Sequence, residues 1–135
     1  MNNDRLNHSL AVANKMVEIG KSMGLSEVQL KELFILGYNH DIGYQFGNNE
    51  NHNIIGGEIL KQSNYKYWRE VYYHGMSNAK YKSNYLDILN YADMSIDKSG
   101  HDVGFDKRLS DIKNRYGEDS VQYQNCVKIV NELRR

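Results

Sequence analysis

The chain has no proline and a single cysteine in 135 residues. Without proline, nothing in the sequence forces a break inside a helix. Cys126 cannot form a disulfide within the chain and fits a reducing compartment. It reads as a small apolar residue packed on the last helix. There is no excess of charge of one sign, because 17 Lys and Arg balance 17 Asp and Glu. That removes both the basic footprint of a nucleic-acid binder and the polybasic cluster of a membrane-surface protein. No apolar run approaches the roughly 20 residues a spanning helix needs. Met1-Asn2-Asn3-Asp4 is polar with no apolar stretch after it, so the expectation is a cytoplasmic protein without a secretory leader.

What is present points to an all-α domain over residues 1–135. Apolar residues make up 40% of the chain, enough for one modest core. His8, Val12, Met16, Ile19 and Met23 recur at helical spacing, flanked by Leu6, Leu10, Ala13 and Val17, which predicts a helix over 4–23. Gly24 reads as its left-handed stop. Ser26 with Gln29 forms a capping box for a second helix ending near His40. A polar, Asn- and Gly-rich loop is expected over 45–51. Further helices are expected over 52–61, 65–74, 83–96, 105–116 and from Asp119 or Ser120 to Leu133, six to seven in all. Leu10, Val12, Met16, Leu33, Phe34, Leu36, Leu86 and Leu89 are the expected core. Eleven tyrosines and one tryptophan are many for this size, so several are expected at the surface or in a cleft.

Chemistry-bearing residues interrupt these apolar faces. His40-Asp41-Ile42-Gly43 follows the apolar stretch Leu33-Phe34-Ile35-Leu36, while His8 and Asp93 each sit on an otherwise apolar helix face. Buried polar and charged groups need a partner or a metal. Two histidines and two aspartates brought together from three helices would suit a divalent ion such as Fe, Mn, Ni, Co or Zn. His52 and His74 could add a second ion if both face Asp41, whose carboxylate would then bridge. His101 lies in a polar turn and reads as solvated.

The order His8, His40-Asp41, Asp93 resembles the HD-domain superfamily of metal-dependent phosphohydrolases. His8-Ser9-Leu10 is similar to that family's opening helix, His40-Asp41-Ile42-Gly43 to its signature and Tyr91-Ala92-Asp93-Met94 to its closing aspartate motif. His52 with Gly56-Gly57, then His74, resembles a six-ligand branch of small bacterial members that includes diadenosine tetraphosphate hydrolases. Tyr44 stands where many dinuclear members carry a lysine. The resemblance implies a helical bundle holding one or two divalent ions on His8, His40, Asp41, His52, His74 and Asp93.

Such a site would hydrolyse a phosphate ester or anhydride of a small phosphorylated substrate, with a nucleotide expected. Asp41 and Asp93 would orient the attacking water or accept its proton. Arg108 and Lys107, with Lys98 behind them, would neutralise phosphate charge. Tyr44, Tyr72 and Tyr73 could stack on a base or simply pack in the core. The same ligands would equally serve a di-iron oxygenase, or a metal-stabilised nucleotide-binding module without turnover.

Overall fold

The computed structural model describes residues 3–45 and 51–134, so most of the loop expected over 45–51 lies outside the described residues. Among the described residues seven α-helices follow in order: α1 (Asn3–Ser22), α2 (Glu27–Asn39), α3 (His52–Gln62), α4 (Trp68–Tyr73), α5 (Asn84–Asp93), α6 (Gly104–Tyr116) and α7 (Val121–Leu133). A 3₁₀ turn over Ile42–Gln45 joins α2 to the region before α3. The described residues contain no strand, only one isolated bridge between Ile96 and Asp102. No helix among them is long and apolar enough to cross a membrane.

Local chemistry sets the helix ends. Gly24 has φ +77°, a left-handed conformation that costs glycine no Cβ clash, and it releases the chain from α1. Ser26 accepts from the Gln29 amide, and the Gln29 side chain accepts from the Ser26 amide, which starts α2. Ser83 and Ser120 start α5 and α7 in the same way, through their hydroxyls.

α1 and α2 run antiparallel, because Gly37 lies against Ala13 while Gly20 lies against Leu30 and Leu33. Val12 and Met16 of α1, Leu33 and Leu36 of α2, Val71 of α4 and Ile88, Leu89 and Ala92 of α5 close the main core. A second cluster of Met94, Ile112, Ile129 and Val130 seats α6 and α7 beside α5. Burying each large apolar side chain contributes about 1.5–3 kcal/mol.

Four expectations need correction. Leu10 is 41% exposed, because the buried row of α1 is His8, Val12 and Met16 and the flanking leucines face outward. Phe34 is only partly buried and stacks on Tyr38 at the surface of α2. α5 stops at Asp93 rather than near residue 96, since the chain turns so that Ile96 pairs with Asp102. α4 is also shorter than expected, beginning at Trp68 after a turn in which Asn64 takes φ +62°.

One contact delivers the site. A Cβ on Gly43 would lie 1.8 Å from the His52 carbonyl oxygen, and one on Gly56 would lie 3.0 Å from the Gly43 amide. Bare backbone at both positions lets the 3₁₀ turn rest directly on the first turn of α3, which brings His52 to Asp41. Gly43→Ala should therefore force the two segments apart and cost about 3 kcal/mol. A urea midpoint within error of the parent would show that the contact is not needed.

Candidate metal centre

Six polar side chains are carried inward, five of them at helix ends. His8 rides the buried row of α1, His40 caps α2 and Asp41 follows it at the start of the 3₁₀ turn. His52 opens α3, His74 caps α4 and Asp93 ends α5. His8, His40, Asp41 and His74 are buried, while His52 and Asp93 are partly so.

The Asp41 carboxylate is the centre of the group. Its Oδ2 lies 3.3 Å from His40 Nε2 and 3.7 Å from His8 Nε2. Its Oδ1 lies 3.3 Å from His52 Nε2 and 3.6 Å from His74 Nε2. Asp93 Oδ1 lies 2.8 Å from His8 Nε2 and 3.3 Å from His40 Nε2. Each oxygen of Asp41 thus faces a different pair of imidazoles. Three overlapping sets could hold an ion with ligating atoms within 4.8 Å of one another: His8, His40 and Asp41; Asp41, His52 and His74; and His40, His74 and Asp93.

The far nitrogens of three rings are anchored to backbone. His8 Nδ1 donates to the Asp97 carbonyl at 2.8 Å, His40 Nδ1 to Gly37 at 2.6 Å and His74 Nδ1 to Val71 at 2.5 Å. A carbonyl oxygen can only accept, so the proton sits on Nδ1 and a neutral ring turns its Nε2 lone pair into the cluster. Outer partners of this kind orient ligating histidines and raise their basicity. His40 Nε2 is the clearest case. It is buried, makes no hydrogen bond of good geometry, and faces two carboxylate oxygens at 3.3 Å each. A lone pair against two anions requires a positive charge between them, either a proton or a metal ion.

The electrostatics of the cluster agree. Burial opposes a charge on His40, but Asp41 and Asp93 outweigh it and push its pKa up to about 9. Burial likewise opposes ionisation of Asp41 and Asp93. The neighbouring imidazoles win, His40 foremost in both cases, and hold each carboxyl well below the usual carboxylate range.

The other expected site residues divide. Arg108 is half-buried and its Nε is buried without a hydrogen-bond partner. It lowers the Cys126 thiol pKa while Asp93 raises it, which puts all three within electrostatic reach; burial dominates and pushes the thiol up to about 11. Lys107 points outward, 63% exposed, and pairs with Asp111 one turn along α6. Lys98 is exposed. His101 is 75% exposed and lies 3.4 Å from Asp97 Oδ2, outside the cluster.

Tyr44, Tyr72 and Tyr73 are partly buried and each packs on another ring. Tyr44 stacks on His52 with ring centroids 4.1 Å apart, and the Arg5 guanidinium lies 3.9 Å from the Tyr44 centroid. Tyr72 packs on Trp68 and Tyr73, and Tyr73 on Tyr81. Arg5 was missed from sequence, although its place one turn before His8 on α1 is a signal that could have found it.

If a proton on His40 compensates the carboxylates, protein stripped of metal should lose stability as that proton leaves. A raised pKa contributes stability that is complete below about 6.5 and is lost as pH climbs through about 9. The melting temperature of chelated protein should fall across that window, and added divalent cation should flatten the fall. A level profile in chelated protein would contradict this account.

Neither the curated proteins nor the solved structures contain a match to this chain. The family model for the HD domain matches residues 5–133, nearly the whole chain and a span that includes the six clustered residues. With that match and this helical architecture, the chain belongs to the HD-domain superfamily.

Proposed function

We propose that the protein is a divalent-metal-dependent phosphohydrolase. It cleaves a phosphate ester or anhydride in a small molecule, of the kind a nucleotide carries. One observation carries the reading: a buried aspartate turns its two oxygens to two separate pairs of imidazoles. That donor set fits two neighbouring ions sharing one carboxylate, the arrangement used in two-metal phosphoryl chemistry. His8, His40 and Asp93 would hold one ion and His52 and His74 the other, with Asp41 common to both. Imidazole nitrogen and carboxylate oxygen suit Fe, Mn, Ni, Co or Zn.

Bound divalent cations would polarise a phosphoryl oxygen and lower the pKa of a water molecule. The chain supplies the rest. The Gly37, Val71 and Asp97 carbonyls fix the rings and hold one proton on each Nδ1, so that Nε2 is the nitrogen that would face an ion. Asp41, with 8% of its side chain exposed, would be fully engaged as a ligand. Asp93, at 17%, is the more open carboxylate and the better placed to take a proton from water. Arg108, with an unpartnered buried Nε, offers a guanidinium to a phosphate oxygen.

Elemental analysis of protein purified anaerobically without chelator should give close to two ions per chain. Phosphate release from a panel of esters and anhydrides should be lost on chelation and restored by reloading. Asp41→Ala should lose both metal and turnover. Arg108→Ala should keep its metal and lose about 10-fold or more in kcat/KM, since hydrogen bonds to charged groups contribute about 1.5–3 kcal/mol. Undiminished metal and turnover in Asp41→Ala would sink the assignment.

A further inference from the structure

His74 is the ligand with the least support from its own helix. α4 has six residues, too few to fix its last turn, and His74 leaves it with an extended backbone. Gly75 follows with φ +75° and turns the chain toward α7. The backbone polar groups of this turn are taken up by asparagine side chains from three other helices.

Asn53 of α3 donates through Nδ2 to the Tyr72 carbonyl at 3.1 Å and the His74 carbonyl at 3.3 Å. Asn90 of α5 accepts from the Gly75 amide at 3.0 Å. Asn125 of α7 donates through Nδ2 to the Gly75 carbonyl, while its Oδ1 accepts from the Ser77 amide at 3.0 Å and the Ser77 hydroxyl at 2.7 Å. Amide N–H groups only donate and carbonyls only accept, so these contacts also fix which way each asparagine faces. Two of the three sit beside other members of the cluster: Asn53 follows His52, and Asn90 lies one turn before Asp93. α7 carries none of the six clustered residues. It nevertheless grips the turn at two points on one face, since Glu132, seven residues after Asn125, accepts from the Asn78 amide at 3.2 Å.

We propose that Asn53, Asn90 and Asn125 are positioning residues for His74, and that α7 controls occupancy of the His52–His74 half of the centre through Asn125. The proposal rests on the two-ion reading given above. Each amide supplies what its contact needs, and for Asn53 and Asn125 the need is a donor. An aspartate of the same shape has none and would set a carboxylate oxygen against a carbonyl oxygen.

The test is a manganese titration of the full chain, stripped of metal, followed by electron paramagnetic resonance, for the parent, Asn125→Asp and Asn53→Asp. The parent should bind two ions with the spectrum of an exchange-coupled pair. The variants should bind the first ion with unchanged affinity and the second roughly 10-fold or more weakly, leaving an isolated-ion spectrum at intermediate manganese. A merely structural defect would weaken both ions together, and that result overturns the proposal. So does a second-ion affinity within about twofold of the parent. Should Asn125→Asp fail to fold, Asn53→Ala decides by the same readout. A single ion in the parent overturns the two-ion reading itself, and is seen before any variant is measured.

Discussion

A carboxylate buried beneath α1 and α2 and faced by four imidazoles would be untenable without compensation. Removing an ion from water costs several kcal/mol even after the protein relaxes, and Asp93 lies close enough to add repulsion. The compensation comes from histidines whose far nitrogens are tied down. Two of the three anchoring carbonyls lie in the last turn of a helix, where backbone oxygens have no partner within the helix. His40 caps α2 and takes Gly37, and His74 caps α4 and takes Val71, each three residues back. Helix C-termini also carry partial negative charge, which favours electron-rich or protonated imidazole there. The same ring thus closes a helix and aims a nitrogen into the cluster.

The architecture follows from this need. A site assembled from helix ends requires several helices to stop at one place, and short helices joined by tight turns provide that. Gly43 and Gly56 let the 3₁₀ turn and α3 meet backbone to backbone, so that His52 reaches the oxygen of Asp41 opposite His40. Tyr44, the next residue, is wedged between His52 and Arg5 and serves as a wall of the site rather than as an open platform.

Much of this was legible in the sequence because it is written in side chains. Capping residues such as Ser26, Gln29, Ser83 and Ser120 announced their helices; His8 and Asp93 on apolar faces and His40-Asp41 after an apolar stretch pointed to the cluster, and His52 and His74 joined it through the family resemblance. The illegible parts have identifiable causes. The carbonyls of Gly37, Val71 and Asp97 belong to backbone, and no residue type marks them. Lys107 and Arg108 are adjacent in sequence yet differ by about 100° around α6, so composition alone could not separate the outward lysine from the inward arginine. Leu10 satisfied the apolar period of α1, but the stripe that α2 and α5 cover is narrower than the stripe the period allows. The true end of α5 depends on a contact between Ile96 and Asp102 that local pattern does not encode.

The two halves of the centre are unequal, and the inequality follows from which elements build them. The half near His8 and His40 has both carboxylates, comes from α1, α2 and α5, and is packed against the main core. The half near His52 and His74 has Asp41 as the one carboxylate facing both rings, and His52 is 20% exposed. Its elements are the short α4 and the first turn of α3, neither of which can hold a ligand rigidly alone. An ion in the first half would gain from two charges on preformed walls. An ion in the second would depend on one shared charge and on how firmly the turn after His74 is held. Asn53, Asn90 and Asn125 supply that hold with neutral hydrogen bonds, which add no charge to a region where two carboxylates already repel. Neutral amides are therefore the chemically suitable clamp here, because a carboxylate in their place would deepen the repulsion and a lysine would compete with the metal.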